Sequence, residues 1–298
     1  MRLIKPSFEI LEQKPGIDGL LQHIERCGRT CYKSEDKITE DSAEKFVNML
    51  VNRGHTAMVE HGTVYLRVEC YKSDITTPVV GRYVRNKYSD VTDKYGRLND
   101  AGNFESEAYI TTNYRVLLQN DWLDDLKYQC EPTEHHVKRV TVKFVCDRGV
   151  SHEFVRHRVF SFAQESTRYC NYSKDKFGKE CTFIIPSWLD LPEGSYSKGK
   201  VYTDLATPYL VKGTPEELLL LKLVGDELDY FDLLDKGWIA QQARAVLPNS
   251  LKTELIMTGT IDQWEGFFKL RDANDAHPQA RELAAPLHEE FIRRGLLQ

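Results

Sequence analysis

Between Lys138 and Tyr169 the chain changes its period within one short stretch, and this limits what it can fold into. Val140, Val142 and Phe144 alternate with Thr141, Lys143 and Val145, which predicts a half-buried strand. Asp147-Arg148-Gly149 breaks the alternation, and residues 150–158 are expected to form a helix. Arg156, Arg158 and Arg168 then sit among Phe154, Val155, Val159, Phe160 and Phe162. Cations threaded between large apolar residues are partly desolvated and need anionic partners. One reading is a salt-bridged surface helix, and the other is a pocket for an anionic ligand. On a helix, positions two apart face different sides, so Arg156 and Arg158 would serve two neighbouring ligands with His157 between them.

The remaining pattern supplies helices and more strand. A first helix is expected over residues 18–31, with Leu20, Leu21 and Ile24 inward and Gly28 as its stop. Asp41 and Glu44 read as a cap for a second, whose stripe is Phe46, Val47, Leu50 and Val51 before Gly54. Residues 63–70 alternate as a strand with Val64, Leu66 and Val68 on one face. Residues 71–138 are polar, with turn signals at Ser89-Asp90, Gly96, Asn99-Asp100 and Ala101-Gly102-Asn103, and one clear strand over 108–114.

Beyond Tyr169 a loop is expected to about residue 213. Thr214-Pro215-Glu216-Glu217 then opens a helix with Leu218, Leu221, Val224, Leu228 and Phe231 inward, stopping at Gly237. A short helix over 239–247 ends at Pro248. Another runs from Asp262 through Phe267, Phe268 and Leu270 to Arg271. The last begins near His277-Pro278, with Ala280, Leu283, Ala284, Leu287 and Phe291 inward and Gly295 beyond its end. Together these predict one α+β domain over 1–298, a mostly antiparallel sheet packed against a helical layer.

Composition narrows the function. A net charge of -5 provides no global field for nucleic acid, so positive charge is local and suits a small phosphorylated ligand. No apolar run approaches the roughly 20 residues that span a bilayer, and the start lacks an apolar signal region. A cytoplasmic protein with no membrane partner is expected. The seven cysteines are odd in number and scattered, unlike a disulfide framework. Cys27 and Cys31 could be half a metal site, but no second pair follows at zinc-like spacing, and no metal is expected. His55, Glu60 and His61 read either as a metal cluster or as hydrogen-bonded histidines at a sheet edge.

Arg156-His157-Arg158, seven residues, then Ser166, followed by Arg168-Tyr169, resembles the signature of the flavin-dependent thymidylate synthases, the ThyX family. The resemblance covers about residues 15–70 and 139–295, leaving 71–138 as a family-variable insertion. It implies a ThyX-like fold and a methyltransferase that converts dUMP to dTMP. The carbon donor would be 5,10-methylenetetrahydrofolate, and the hydride donor FAD reduced by NADPH. It also implies a homotetramer whose sites are built across subunits.

Residue by residue, the resemblance assigns dUMP to Glu153, Arg156, Gln164, Ser166, Arg168 and Arg244, with the backbone amides from Glu165 through Thr167 to Arg168. Arg271 would activate the uracil ring at N3. For FAD it implies His55, Ala57, Arg156, His157, Arg158, Gln164, Thr260, Asp262, Gly266 and His277. The sequence departs from the family at several of these. Glu153 replaces a glutamine and is expected to meet the base or Arg156. Thr260 and Gly266 stand where relatives place asparagines, and Ala57 where a threonine or serine is expected.

Two chemical routes lead from dUMP to thymidylate. A cysteine thiolate can add to the ring, for which Cys146 and Cys170 are the candidates. Alternatively guanidinium groups polarise the pyrimidine and a flavin supplies the hydride, the route that the cationic cluster favours. Two other classes would be a non-catalytic nucleotide- or FAD-binding homologue, and a nucleic-acid module with strongly salt-dependent binding.

Overall fold

The computed structural model describes residues 1–71, 78–94, 105–197 and 213–297. Among them the strands are β1 (Arg2–Ile4), β2 (Ser7–Leu11), β3 (Thr63–Tyr71), β4 (Asp90–Lys94) and β5 (Glu105–Asn113), then β6 (Arg139–Asp147), β7 (Ser161–Gln164), β8 (Thr182–Ile184), β9 (Gly194–Ser195) and β10 (Lys252–Thr260). The α-helices are α1 (Gly16–Tyr32), α2 (Ser42–Asn52), α3 (Pro78–Val84), α4 (Tyr114–Asn120) and α5 (Arg148–Phe154), then α6 (Pro215–Asp235), α7 (Ala240–Ala243), α8 (Ile261–Arg271) and α9 (Pro278–Arg293). No helix among the described residues is long and apolar enough to cross a membrane.

The central sheet is antiparallel, in the order β2-β6-β10-β7. Phe144 faces Leu255 across it, and Val142 faces Met257. Their side of the sheet packs on α5, α8 and α9 through Phe154, Trp264, Phe267, Leu287 and Phe291. The opposite side packs on α1, where Leu11, Cys27, Ala163 and Ile256 meet. Both faces are therefore covered, and Thr141 is buried rather than solvent-facing. Thr141 and Thr258 Oγ1 atoms lie 2.8 Å apart. They continue into His23 Nε2 at 3.1 Å and His61 Nδ1 at 2.7 Å, so four side chains form one buried hydrogen-bonded row.

A second antiparallel sheet, β3-β5-β4, pairs Thr63–Tyr71 with Glu105–Asn113 along nine positions. Val64, Leu66, Val68 and Ile110 pack there against Phe46, Leu50 and Leu117. In the small third sheet, β8-β1-β9, the β1–β8 pair alone is parallel. The class is α+β with mostly antiparallel pairing, as expected.

Several boundaries differ from the sequence reading. Helix α1 runs through Gly28 and stops at Lys33, which takes a left-handed conformation at φ 47°. Gly28 is a packing glycine, since a Cβ there would come within 2.8 Å of the Phe46 ring. Asp41 is the N-cap of α2, but its carboxylate makes no capping bond. Helix α5 ends at Phe154, so Arg156, His157 and Arg158 lie in the turn after it and not on its faces. Asp147 starts it by accepting from Val150 N at 2.6 Å.

Helix α6 begins as expected, with Thr214 accepting from Glu217 N and proline in the first turn. Its inward face is Leu220, Leu223, Val224 and Tyr230, whereas Leu218 and Leu228 are exposed. Thr260, not Asp262, caps α8, in a reciprocal box with Gln263. Leu270 is exposed. Helix α9 buries all five residues assigned to it. The loop expected after Tyr169 contains β8 and β9, while its part over 198–212 lies outside the described residues, as do Gly96 and the turn signals at 99–103.

Candidate active site

The turn after α5 is held by a residue far along the chain. Arg271, at the end of α8, donates from Nε to His157 Nε2 at 3.0 Å. Its two terminal nitrogens reach Glu153 Oε2 and the Glu153 carbonyl oxygen, each at 2.7 Å. Glu153 therefore pairs with Arg271, not with Arg156. Helix α5 stops at Phe154 and the turn swings Arg156 into solvent, which removes the Arg156 alternative. Burial, and then the Arg271 guanidinium, push the His157 pKa down to about 4. The imidazole is neutral at pH 7 and accepts the Arg271 bond. Its ring leans on Phe267, with centroids 5.1 Å apart, which fixes its direction.

The far end of the motif is anchored from beneath. Strand β7 leads into Glu165, whose buried carboxylate takes Lys252 Nζ at 2.8 Å and Tyr172 Oη at 3.3 Å. Lys252 also reaches Glu254 at 2.6 Å, and Glu254 takes Lys33 and Lys143 as well. Burial alone would raise the Glu254 pKa, but the ammonium groups of Lys252, Lys33 and Lys143 override it and hold the carboxyl well below its ordinary value. Such a network is costly to break, because removing one partner strands a buried charge. It fixes the backbone that carries Ser166, Thr167 and Arg168. Arg244, from the end of α7, donates to Thr167 Oγ1 at 3.1 Å.

The backbone amides expected to cradle nucleotide are partly engaged. Glu165 N donates to Glu254 O at 2.8 Å and Ser166 N to Cys31 O at 3.1 Å. Arg168 N donates to Ser166 Oγ at 3.3 Å. Those amides shape the loop, and the exposed guanidinium groups of Arg168 and Arg244 are what it offers outward. Gln164 is likewise turned into the fold, its Nε2 donating to Ser151 Oγ at 2.9 Å and Thr253 Oγ1 at 3.3 Å.

His55 joins this end of the site. Its Nδ1 lies 2.7 Å from Tyr32 Oη, and the Tyr32 ring packs at 5.3 Å on Tyr169, over which Arg168 sits at 5.4 Å. His61 is turned away into the buried row, so His55 and His61 are hydrogen-bonded histidines with separate partners. Ala57 is exposed one turn away.

Arg158 and Thr260 line a different space, a cleft of about 320 Å³ between β7, α8 and the second sheet. Thr260 Oγ1 is occupied in capping α8. Asp262 and Gly266 lie exposed on α8, and a Cβ at 266 would meet nothing within 4 Å. His277 is exposed beside Trp188, with ring centroids 6.2 Å apart. The structure thus gathers Glu153, His157 and Arg271 in one cluster, and Ser166, Thr167, Arg168, Arg244 and His55 in another. It brings neither Asp262, Gly266 nor His277 to them by a hydrogen bond. A larger cavity of about 430 Å³, beside His23 and Tyr65, is lined by none of the expected site residues.

The cysteines are poor nucleophiles here. Cys170 is fully buried, and burial followed by the Glu165 charge pushes its pKa up to about 12. Cys146 is likewise buried and raised. Tyr32, Lys252 and Glu254 were not singled out in the sequence. Tyr32 adjoins Cys31 at a helix end with no flanking signal. The other two lie on β10, which has no alternation to mark it.

The chain belongs to the family described as thymidylate synthase complementing protein, whose model matches residues 122–294, more than half of it. A flavin-dependent thymidylate synthase from Pyrococcus furiosus is 30% identical over 149 residues, covering 50% of this chain and 52% of the relative. One from Mycobacterium bovis is 31% identical over 138 residues, covering 46% and 50%. The chain spans about half the length of the curated relatives it matches. A UMP/dUMP methylase from Streptomyces cacaoi superposes with a TM-score of 0.41 at 15% identity, covering 98% of this chain and 92% of that one, a likeness too slight to bear on chemistry.

Proposed function

We propose that this protein is a flavin-dependent thymidylate synthase, methylating dUMP to dTMP with 5,10-methylenetetrahydrofolate as carbon donor and NADPH as reductant. One observation carries the reading. The two arginines that the resemblance places far downstream return to opposite ends of the motif, Arg244 onto Thr167 and Arg271 onto His157. A solvated surface helix gives no reason for either contact.

In this reading Arg168 and Arg244 bind the nucleotide phosphate, for which their exposed planar forks are suited. Arg271 stands at the uracil, where a guanidinium stabilises negative charge developing at N3 and the carbonyl oxygens. It is held in place by Glu153, so the departure from glutamine supplies a carboxylate that orients the arginine. Neutral His157 fixes the guanidinium plane without adding a competing positive charge. Arg156 and Arg158 are assigned to the flavin, whereas His55, which the resemblance also gives to FAD, stands at the nucleotide end through Tyr32 and Tyr169.

FAD fits the groups present. The cleft beside Arg158 presents Lys87, Arg115 and Arg139 against one carboxylate, Glu60, which is the charge balance a diphosphate requires. When bound, the flavin supplies the hydride that reduces the transferred methylene group to methyl. The exposed positions of Arg156, Asp262, Gly266 and His277 suit a homotetramer in which a neighbouring copy completes each site. We read 1–298 as one domain of a cytoplasmic enzyme.

The test is the visible spectrum of the purified protein under nitrogen, before and after NADPH, followed by methyl transfer to dUMP. A flavin band that bleaches, with dTMP formed, is the expected result. Failure to bind FAD on reconstitution would overturn the assignment.

A further inference from the structure

The cleft that contains Arg158 and Thr260 has two walls of different origin. One is the motif itself, with Arg158, Val159, Phe160 and Ser161, closed by Thr260 and Gln263. The other comes from the inserted segment: Lys87 and Tyr88 between α3 and β4, and Arg115 and Gln119 on α4. Those residues fall within 71–138, the segment that the sequence reading sets apart as a family-variable insertion.

The electrostatics of the cleft are incomplete. Lys87, Arg115, Arg139 and Arg158 line it, with Glu60 the single carboxylate in the wall. Glu60 is already paired with Arg115. Arg139 is half-buried and burial lowers its pKa, and its guanidinium donates to neutral acceptors, Thr63 Oγ1 and the Glu60 carbonyl oxygen, both at 3.2 Å. Outside the cleft lining, Asp90 acts on Arg139 at a distance, and more weakly on Asp262. The wall thus holds four cations against one carboxylate that is already paired, an excess of positive charge that an anionic ligand would balance. Lys87 rests 4.8 Å from the centre of the Tyr88 ring, and both are exposed, so they can turn toward such a ligand.

We infer that the inserted segment is part of the cofactor site, and that Lys87 and Arg115 bind the diphosphate of FAD in this cleft. The inference rests on the flavin reading above. It also accounts for the departures on α8. Thr260 is occupied by its cap and Gly266 has no side chain, so the contacts expected from that helix are replaced by cations across the cleft. The insertion changes which element holds the cofactor.

The experiment is a fluorescence titration of FAD into apoprotein with wild type, Lys87→Met, Arg115→Gln and the double variant, with dUMP affinity measured in parallel by calorimetry. Each single variant should weaken FAD about tenfold, the scale of one charge-assisted hydrogen bond. The loss should shrink at high salt. Affinity for dUMP, assigned to Arg168 and Arg244, should not change. Lys87 is exposed and unpaired among the described residues, so its variant tests the idea even if removing Arg115 from Glu60 disturbs folding. Wild-type FAD affinity in the double variant, or a loss of dUMP affinity alone, would overturn the inference while leaving the flavin reading intact. A wild type that binds no FAD would overturn both, and would show before any substitution is made.

Discussion

Replacing Arg271 with glutamine separates its structural role from its chemical one. The side chain donates three hydrogen bonds, to His157 Nε2, Glu153 Oε2 and the Glu153 carbonyl. The pair is only partly buried, with side-chain exposures of 17% for Arg271 and 30% for Glu153. Once released, Glu153 can rehydrate, so the cost in stability should be about 1–2 kcal/mol rather than the larger penalty of a stranded buried charge. That corresponds to a fall in Tm of roughly 2–8 °C. Losing a preorganised cation at a developing negative charge should instead lower kcat about 10²–10³-fold.

The His157 pKa, now about 4, should rise part of the way toward its ordinary value, because burial, the larger cause, remains. Three measurements follow: thermal unfolding, single-turnover methyl transfer at saturating dUMP, and an NMR titration of the histidine. FAD affinity should change little. A kcat within tenfold of wild type in the folded variant would refute the placement of Arg271 at the uracil. A collapse in Tm would show that the ion pair serves the fold instead.

Four further outcomes follow from the geometry. Thr258→Val removes the hydroxyl that joins Thr141 to His61, and should cost about 1–3 kcal/mol in urea unfolding; a change under about 0.5 kcal/mol would show the row to be unimportant. Burial holds His23 down to about 4 and His61 to about 3, so between those values and 6.5 only the unfolded chain takes up their protons. Stability should therefore be full above pH 6.5 and decline as pH falls toward 5, by up to about 1.4 kcal/mol per unit per histidine, and a flat urea midpoint from pH 7 to 5 would contradict this. Lys252→Met strands Glu165, whereas Glu254 keeps Lys33 and Lys143, and should cost about 3–5 kcal/mol and weaken dUMP binding, with partial recovery in Lys252→Arg. Cys170→Ala should retain kcat within about twofold once its packing loss is allowed for, whereas loss of turnover would restore the thiolate route.

What could be read from the sequence depended on how each element is buried. Helix α9 has one apolar stripe and one solvated face, and the five apolar residues of its buried side follow from the pattern. Strand β10 is buried on both faces, so Leu255, Ile256 and Met257 run together without a period, and the central strand went unread. The inward face of α6 was read in part, with Val224 buried and Leu221 and Phe231 packed on the core, because leucines occupy both its sides, Leu218 and Leu228 outward, Leu220 and Leu223 inward. In the site, the motif located both clusters. Its partners did not follow from spacing: Lys252 and Glu254 meet Glu165 through strand pairing, and Tyr32 at the end of α1 reaches His55 beyond the whole of α2. The end of α5 was missed because Val155 and the arginines satisfy helical propensity, whereas the chain turns at Phe154.

The pairing of β10 with β6 has a consequence for how the molecule is made. Lys252 lies opposite Asp147 and Thr260 opposite Arg139, partners separated by roughly a hundred residues or more, a span that slows closure. The arginine motif sits between them, and among the described residues β7, which leads into its second half, has no strand neighbour in the sheet other than β10. On the ribosome, a nascent chain that has not reached Leu255 has no β10 partner on which to lay Ser161–Gln164, and before Lys252 is added Glu165 lacks its ammonium. The nucleotide end of the motif thus acquires its shape late in synthesis, when the centre of the sheet is filled.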